Sequence, residues 1–307
     1  MQFAVYGAGA VGCYYGGMLA QAGHDVVLIG RENHVAAMTE RGLRFQSGDR
    51  DIAVPVRAST DIESVRTADY VLVCVKSTDT IDAALALRDH LSPSCVVVSL
   101  QNGVDNAQTL RGHLDQPVIS AAVYVASEMA GPGHLLHHGR GDLVIEATAH
   151  SEQLADVLRH AGIPTQISPD VRTALWEKLL LNCAYNAASA IVQLPLGDMS
   201  HRDALRATMR DVVGECLAVA SAEGVELDHD AHSFVELIER TIPAGQYSST
   251  AQDLARGRPS EIDFLNGAIV RRGTALGIPT PANRTLHTLV KMLEAKAAPR
   301  IASPAAS

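Results

Sequence analysis

The stretch at residues 7–12, GAGAVG, constrains the fold more than any other part of the chain. It follows a short apolar run at 2–6 (QFAVY) and opens a small-residue helical stretch at 10–22 that ends at Gly23. A second apolar run at 25–29 (DVVLI) arrives where a strand–helix–strand unit requires it. In a G-x-G-x-x-G turn of this kind each glycine has its own task. Gly7 permits the tight turn, Gly9 lets the backbone approach a pyrophosphate, and Gly12 lets the helix pack closely on the strand. Ala8, Ala10 and Val11 complete a helix N-terminus whose free N–H groups and positive dipole end receive phosphate. The motif in this context predicts a dinucleotide site; the bland alternative is a glycine-rich turn with no cofactor.

Cofactor choice falls on the residues after the second strand. An NAD site places Asp or Glu there for the ribose hydroxyls. Here the chain reads Gly30-Arg31, and an arginine pairs with a 2′-phosphate that an acid would repel. NADP(H) is therefore expected, against the alternative that Arg31 is a solvated loop residue and Glu32 takes the ribose. Lys76 ends a third strand at 70–75, and Asn102 follows a fourth at 95–100 in the turn Gln101-Asn102-Gly103. Ligands bind outside the carboxyl ends of strands in open α/β sheets, so both residues are cofactor-facing candidates. Plain turn chemistry also accounts for Asn102-Gly103.

Strand and helix alternate through the first half, with a helix at 79–90 and further strands at 117–125 and 142–147, which argues for a parallel, doubly wound sheet. From about Thr173 the apolar spacing is helical, through 173–194, 202–223, 231–241 and 261–276, with no convincing strand. The change falls at Ser168-Pro169-Asp170. The expected organisation is a dinucleotide-binding domain at 1–169, a helical substrate and catalytic domain at 170–298, and a disordered tail at 299–307. Over 307 residues the formal charge is −9, which offers no general attraction to nucleic acid or to an anionic membrane. Positive charge for a phosphorylated cofactor must then be local. Cys13, Cys74, Cys95, Cys183 and Cys216 are scattered without a C-x-x-C pair, and read as reduced thiols rather than as metal ligands. Met1 leads directly into a strand, and no apolar run is long enough to span a bilayer, so a cytoplasmic location is expected.

The most informative segment of the second half is 176–192, WEKLLLNCAYNAASAIV. It is nearly all apolar, yet Lys178, Asn182 and Asn186 recur every four residues and form one stripe on one helix face. Three polar groups on a buried helix need partners or a ligand. A lysine in such a place suits proton transfer. The spacing alone leaves open a polar seam in which Lys178 merely pairs with a carboxylate. A second cluster, SSTAQDLARGRPSEIDFLNG at 248–267, holds Ser248 and Ser249, which could bond a carboxylate or cap a helix. In the same cluster Glu261 and Asp263 open a helix after Ser260, where capping is the simpler account of Asp263.

Taken together, GAGAVG, Lys76, Gln101-Asn102-Gly103, W-E-K-x-x-x-N-x-x-x-N and S-S-x-x-Q-D…G-R-x-x-E-I-D-x-x-N-G resemble the ketopantoate reductase (2-dehydropantoate 2-reductase) family over nearly the whole chain, in order and spacing. The resemblance implies a Rossmann-type doubly wound sheet followed by an all-α C-terminal domain, with the active site in the cleft between them. It implies NADPH-dependent reduction of a 2-oxo acid to a 2-hydroxy acid, ketopantoate to pantoate for the family's own substrate, on the route to pantothenate. By motif, Lys178 would be the proton donor, and Asn182, Asn186 and Ser249 would hold the substrate. Asn102 and Glu261 would sit at the nicotinamide side, Glu261 also near the reacting hydroxyl, and Ala126 would align with a cofactor-contacting backbone position. The implied partners are a small 2-oxo acid and NADP(H), with no metal, nucleic acid or membrane; a homodimer is compatible. The chain departs from the pattern at Leu196 and Gln246, expected near the substrate, and at 121–126 (AAVYVA), which lacks the usual threonines and histidine. Such departures leave room for another branched or aromatic 2-oxo acid. A non-catalytic dinucleotide-binding regulator is the alternative of another class, and has no use for the proton donor.

Overall fold

The computed structural model describes residues 1–297. They divide into two compact units, Met1–Leu175 and a second beginning at Trp176. The tail expected at 299–307 lies outside the described residues. In the first unit the glycine turn joins β1 (Gln2–Tyr6) to α1 (Ala10–Gln21), which leads to β2 (Asp25–Ile29) and α2 (Glu32–Arg41). Next come β3 (Leu43–Ser47), β4 (Arg50–Val54), β5 (Arg57–Ser59), β6 (Tyr70–Val73), α3 (Thr80–Arg88), β7 (Val96–Ser99) and α4 (Asn106–Arg111). The unit continues through β8 (Val118–Gly131), β9 (His134–Glu146), α5 (Ser151–His160) and β10 (Thr165–Ser168).

Strands β5, β2, β1, β6, β7 and β8 lie side by side in that order, all parallel. This is the Rossmann arrangement, with the strand order reversing between β1 and β6. Alternation along these buried strands divides the core in two. Phe3, Val5, Val26, Leu28, Leu72 and Val98 point to one face with Cys13, Tyr15 and Leu19 of α1 and Leu154 and Leu158 of α5. Ala4, Val27, Val71, Val73 and Val97 point to the other, beneath Ala84 and Leu87 of α3 and Ala107 and Leu110 of α4. Both faces being covered, the strands are apolar throughout, which is why they are readable as continuous runs.

The sheet does not stop at the parallel set. β8 runs on past β7 to pair antiparallel with β9, with bulges at Tyr124/Val125, Ala126/Ser127 and Met129/Gly131. β9 carries β10 and β3 as parallel neighbours, and β3 pairs antiparallel with β4. The purely parallel sheet expected from alternation is therefore extended by an antiparallel layer. β3 to β5 escape the sequence reading because they are short, partly exposed and rich in Arg, Asp and Gln.

The second unit holds helices and no strand among the described residues. α6 (Val171–Val192) crosses the division, after Asp170 caps its start through Thr173 N and Oγ1 at 3.2 and 2.7 Å. It is followed by α7 (Leu196–Ser200), α8 (Asp203–Ala222), α9 (Ala231–Thr241), α10 (Ser249–Ala255), α11 (Asn266–Leu276) and α12 (Pro281–Ala297). Trp176, Leu180, Cys183, Val212, Cys216, Phe234, Ile238, Ile269 and Val290 form its buried interior. The helix expected at 261–276 is not continuous. Residues Ile262–Phe264 make a single 3-10 turn, and Leu265, at φ −108 and ψ −106, breaks the chain before α11 begins. No helix among the described residues is long and apolar enough to cross a membrane. The five cysteines are free, and only Cys74 is less than fully buried.

Candidate functional site

The glycine turn lies at the carboxyl edge of the parallel sheet. Tyr6 is in register with Ile29 of β2 and Val73 of β6, and Val73 with Ser99 of β7. Gly7, Gly30, Cys74 and Leu100 therefore follow side by side on one edge. Gly7 has φ +114, and a Cβ there would meet the backbone of Val75 at 2.7 Å. At Gly12 a Cβ would run into the Gly7 carbonyl, so strand and helix touch only because neither carries a side chain at that point. Gly9 differs: it is exposed, and a Cβ there would meet nothing within 4 Å. Gly9 is also the N-cap of α1, with no side-chain cap bond and no acid in the first turn. An open cradle before uncapped helix N–H groups is what a pyrophosphate requires. The turn residues Gly7, Ala8, Gly9, Ala10, Val11 and Gly12 thus fit a dinucleotide.

Arg31 is the exposed N-cap of α2, directly after β2 and Gly30, with Glu32 exposed beside it in the first turn. Lys76, half-buried, precedes the 3-10 turn Ser77–Asp79, and its carbonyl accepts from Asp79 N at 2.9 Å. Asn102, half-buried, follows β7. Their two loops are joined by a buried network with no assigned part in the sequence reading. Ser77 Oγ donates to Asn102 O at 2.8 Å, Asn106 Nδ2 to Ser77 Oγ at 3.1 Å, and Gln101 Nε2 to Thr80 Oγ1 at 2.8 Å and Val75 O at 3.2 Å. Thr80 Oγ1 stands 2.8 Å from Asn106 Oδ1. Ser77, Thr80, Gln101 and Asn106 are all buried. The available signal was their clustering as small polar residues just beyond two apolar strands. Ala126 lies on β8 opposite Gly139, flanked by bulges, six residues past the last parallel pairing at Ser120.

In the second unit, Lys178, Asn182 and Asn186 occupy one face of α6, the first two partly buried and Asn186 4% exposed. The segment 246–249 lies along the same helix. Tyr185 OH donates to the Gln246 carbonyl, and burial pushes that phenol up to about 12, so it remains a donor. Ser248 N donates to Ser189 Oγ at 3.3 Å and Ser248 Oγ to Asn186 O at 3.1 Å. Asn186 Nδ2 reaches Ser249 Oγ at 3.4 Å. Of the two alternatives for the serines, helix capping falls to Ser248. Ser248 is the N-cap of α10, accepting from Ala251 N at 3.0 Å, and Ser249 meets the stripe. Leu196, expected beside the substrate, is 2% exposed and belongs to the interior. Its N–H donates to Gln246 O at 3.3 Å.

Glu261 is the partly buried N-cap of the 3-10 turn and does not open a long helix. Asp263 makes no cap bond. Its carboxylate stands 2.6 Å from His287 Nε2 and accepts from Lys291 Nζ at 2.8 Å, both on α12. This corrects the capping account of Asp263. Burial works against the charged Asp263, but the bonds from Lys291 and His287 outweigh it and hold the carboxyl below the ordinary carboxylate range. Asn266, fully buried, donates from Nδ2 to Cys183 O on α6 at 3.0 Å and to Asn283 Oδ1 on α12 at 3.0 Å. Asn266 enters the sequence reading only as the Asn of the E-I-D-x-x-N-G motif, without a role, and Asn283 and Tyr185 do not enter it, since nothing in their spacing separates them from ordinary helix residues.

The reversed-order parallel sheet with its glycine turn, and a lysine–asparagine stripe on a buried helix, define a nicotinamide-dinucleotide-dependent oxidoreductase. The chain belongs to the ketopantoate reductase family: residues 3–150 match the family model "Ketopantoate reductase PanE/ApbA", and residues 170–294 match its C-terminal counterpart. It is similar to the 2-dehydropantoate 2-reductase of Caulobacter vibrioides, with 35% identity over 94% of this chain and 97% of that protein. With the enzyme of the same name from Pyrococcus abyssi it shares 32% identity over 96% and 98%. A crystal structure of a PanE/ApbA family ketopantoate reductase from Ralstonia eutropha JMP134 superposes with a TM-score of 0.92 at 59% identity, over 97% of this chain and 99% of that one.

Proposed function

We propose that this chain reduces ketopantoate to pantoate with NADPH, a step toward pantothenate, and that Lys178 is its proton donor. The observation that carries the reading is the polar stripe on α6: Lys178, Asn182 and Asn186 at four-residue spacing on a largely apolar helix, with Ser249 at 3.4 Å from Asn186. When bound, the reduced nicotinamide supplies a hydride to the ketone carbon. The side chains do the rest. Negative charge builds on the ketone oxygen, and the Lys178 ammonium stabilises it and delivers a proton to it. Asn182, Asn186 and Ser249 hold the carboxylate and hydroxyl of the acid, which call for amide and hydroxyl donors. Asn102 and Glu261 are assigned to the nicotinamide side, Glu261 also to the reacting hydroxyl. Gly7 to Gly12, Lys76 and Ala126 hold the cofactor, and Arg31 pairs with its 2′-phosphate, which favours NADPH over NADH. All the proposed partners are small molecules, met in the cytoplasm, with no metal and no nucleic acid.

Steady-state assays with a panel of branched and aromatic 2-oxo acids, each with NADPH and with NADH, test the reading. The highest kcat/KM is expected for ketopantoate with NADPH. Preference for NADH would overturn the role of Arg31. A better branched or aromatic acid would keep the reaction and change the substrate. In the same assay Lys178→Ala should lower kcat by about 10²–10⁴-fold, the usual size of a general-acid contribution, with NADPH affinity near wild type. Near-normal turnover in that variant would remove Lys178 from the chemistry.

A further inference from the structure

Glu261 sits on a strap, residues 260–266, that is fastened on both sides of it. On one side, Ser260 donates from both N and Oγ to Glu294 Oε1 on α12, at 2.7 Å each. On the other, Asp263 stands 2.6 Å from His287 Nε2 and accepts from Lys291 Nζ at 2.8 Å. Lys291 Nζ lies 3.0 Å from Glu294 Oε2. Ser260, Glu294, Lys291 and Asp263 therefore close a ring of charge-assisted bonds around residue 261. The far end of the strap is tied to the stripe helix, because Asn266 Nδ2 bonds the carbonyl of Cys183, between Asn182 and Asn186 in α6. Ile262, next to Glu261 in the strap, is fully buried. Such a ring restrains the backbone at residue 261; Ser260 Oγ also caps Ile262 N at 3.2 Å, but the Asp263 carboxylate bonds His287 and Lys291 on α12, so capping does not explain its part.

We infer that Asp263, held by His287 and Lys291, is a positioning residue that sets the Glu261 carboxylate for the reduction. The inference rests on the proposed role of Glu261. Where reacting groups must be held in a near-attack arrangement, a displacement of about 1 Å from outside the chemistry can cost up to about 100-fold in rate.

The test is steady-state kinetics with NADPH and ketopantoate on Asp263→Ala, Asp263→Asn, Lys291→Met, Glu261→Gln and the double variant Asp263→Ala/Glu261→Gln, with NADPH affinity read by fluorescence. Asp263→Ala is expected to lower kcat by about 10- to 100-fold while NADPH affinity stays within about twofold, with Asp263→Asn recovering part of the loss. In the Glu261→Gln background the Asp263→Ala change should cost less than about twofold, because both act through one group. Loss of packing alone would instead multiply. Lys291→Met touches a half-exposed side chain, and carries the same expectation if Asp263→Ala does not fold. Unchanged kcat in the folded variants, or fully multiplicative losses, would overturn the inference and leave Glu261 in place. Wild-type turnover in Glu261→Gln would overturn the role of Glu261 itself, and the inference with it.

Discussion

Two glycines of the turn, Gly9 and Gly12, close in sequence but opposite in surroundings, separate folding from binding at the scale of single residues. At Gly12 a Cβ would collide with the Gly7 carbonyl and stand 2.8 Å from Val5 Cγ1, so the space belongs to the protein. At Gly9 a Cβ would meet no protein atom within 4 Å, and φ −88 with ψ −166 is backbone that alanine adopts. Gly9→Ala should therefore fold as well as the parent, and the loss of glycine's freedom in the unfolded chain could add about 0.4–1 kcal/mol of stability. Its methyl would occupy the pyrophosphate's approach, so NADPH affinity should fall by about tenfold or more, close to 1.4 kcal/mol or beyond. Gly12→Ala should behave the other way round and lower Tm, whatever cofactor is present. Paired thermal melts and NADPH titrations on the two variants check this. A Gly9→Ala protein that binds NADPH normally would remove the pyrophosphate from that space.

Elements were legible in proportion to how one-sided their surroundings are. β1, β2, β6 and β7 are covered on both faces and read as apolar runs, and α6 reads as a helix because from Leu179 on it is almost entirely apolar apart from its stripe. α12 was passed over: Leu286 and Val290 face the interior, but Thr288, Leu289 and Met292 are exposed, and the pattern blurs. Yet α12 anchors much of the helical unit. Its first turn is capped from α8, where Glu215 accepts from Ala282 N at 2.7 Å, Asn283 N at 2.9 Å and Asn283 Nδ2 at 2.8 Å. A carboxylate at a helix N-terminus is favoured by the dipole, and here it also satisfies a fully buried amide. Glu215→Ala would leave the N–H groups of Ala282 and Asn283 without this acceptor, while Asn283 Nδ2 keeps Val212 O at 3.2 Å, at a cost of about 1–3 kcal/mol. The urea midpoint should drop at constant m-value, with Glu215→Gln recovering part of the loss. An unchanged midpoint would mean that water replaces the carboxylate.

Over the whole molecule, the site was more legible than the scaffold that holds it. Lys178, Asn182 and Asn186 stand out because four-residue spacing of polar groups on an apolar helix is visible in one dimension. The ring around Glu261 and the Ser77–Thr80–Gln101–Asn106 network are not visible, because the bonds that join their separate segments link residues 21 to 34 positions apart in sequence. Charge follows the same division. The net charge of −9 is spread along the chain, whereas particular carboxylates are held by direct bonds. Asp170 is kept below the ordinary range by Thr173, and Asp230 by Ser233 and His232. Asp263 and Glu294 are kept there against burial, the first by Lys291 and His287 and the second by Ser260 and Lys291. Above the isoelectric point, about 5.8, these two sources of pH dependence have opposite signs. Protonation relieves the repulsion of an acidic chain only down to that point, so net charge alone would raise stability from about pH 7 to 6 and lower it below that. A carboxylate whose folded pKa is depressed stabilises fully above its unfolded value, about 4, and that contribution disappears as pH falls through the folded value, because the unfolded chain takes up protons first. Dispersed surface charge is screened beyond about 8 Å at physiological salt, while bonded carboxylates are not, so the second effect should win. Urea midpoints should then be nearly flat from about pH 7 to 5 and fall below about pH 4, and Lys291→Met, which removes the amine shared by Asp263 and Glu294, should make that fall shallower. A midpoint that climbs as the solution is acidified from about pH 7 to 6 would show instead that relief of the net negative charge governs the stability of this protein near neutrality.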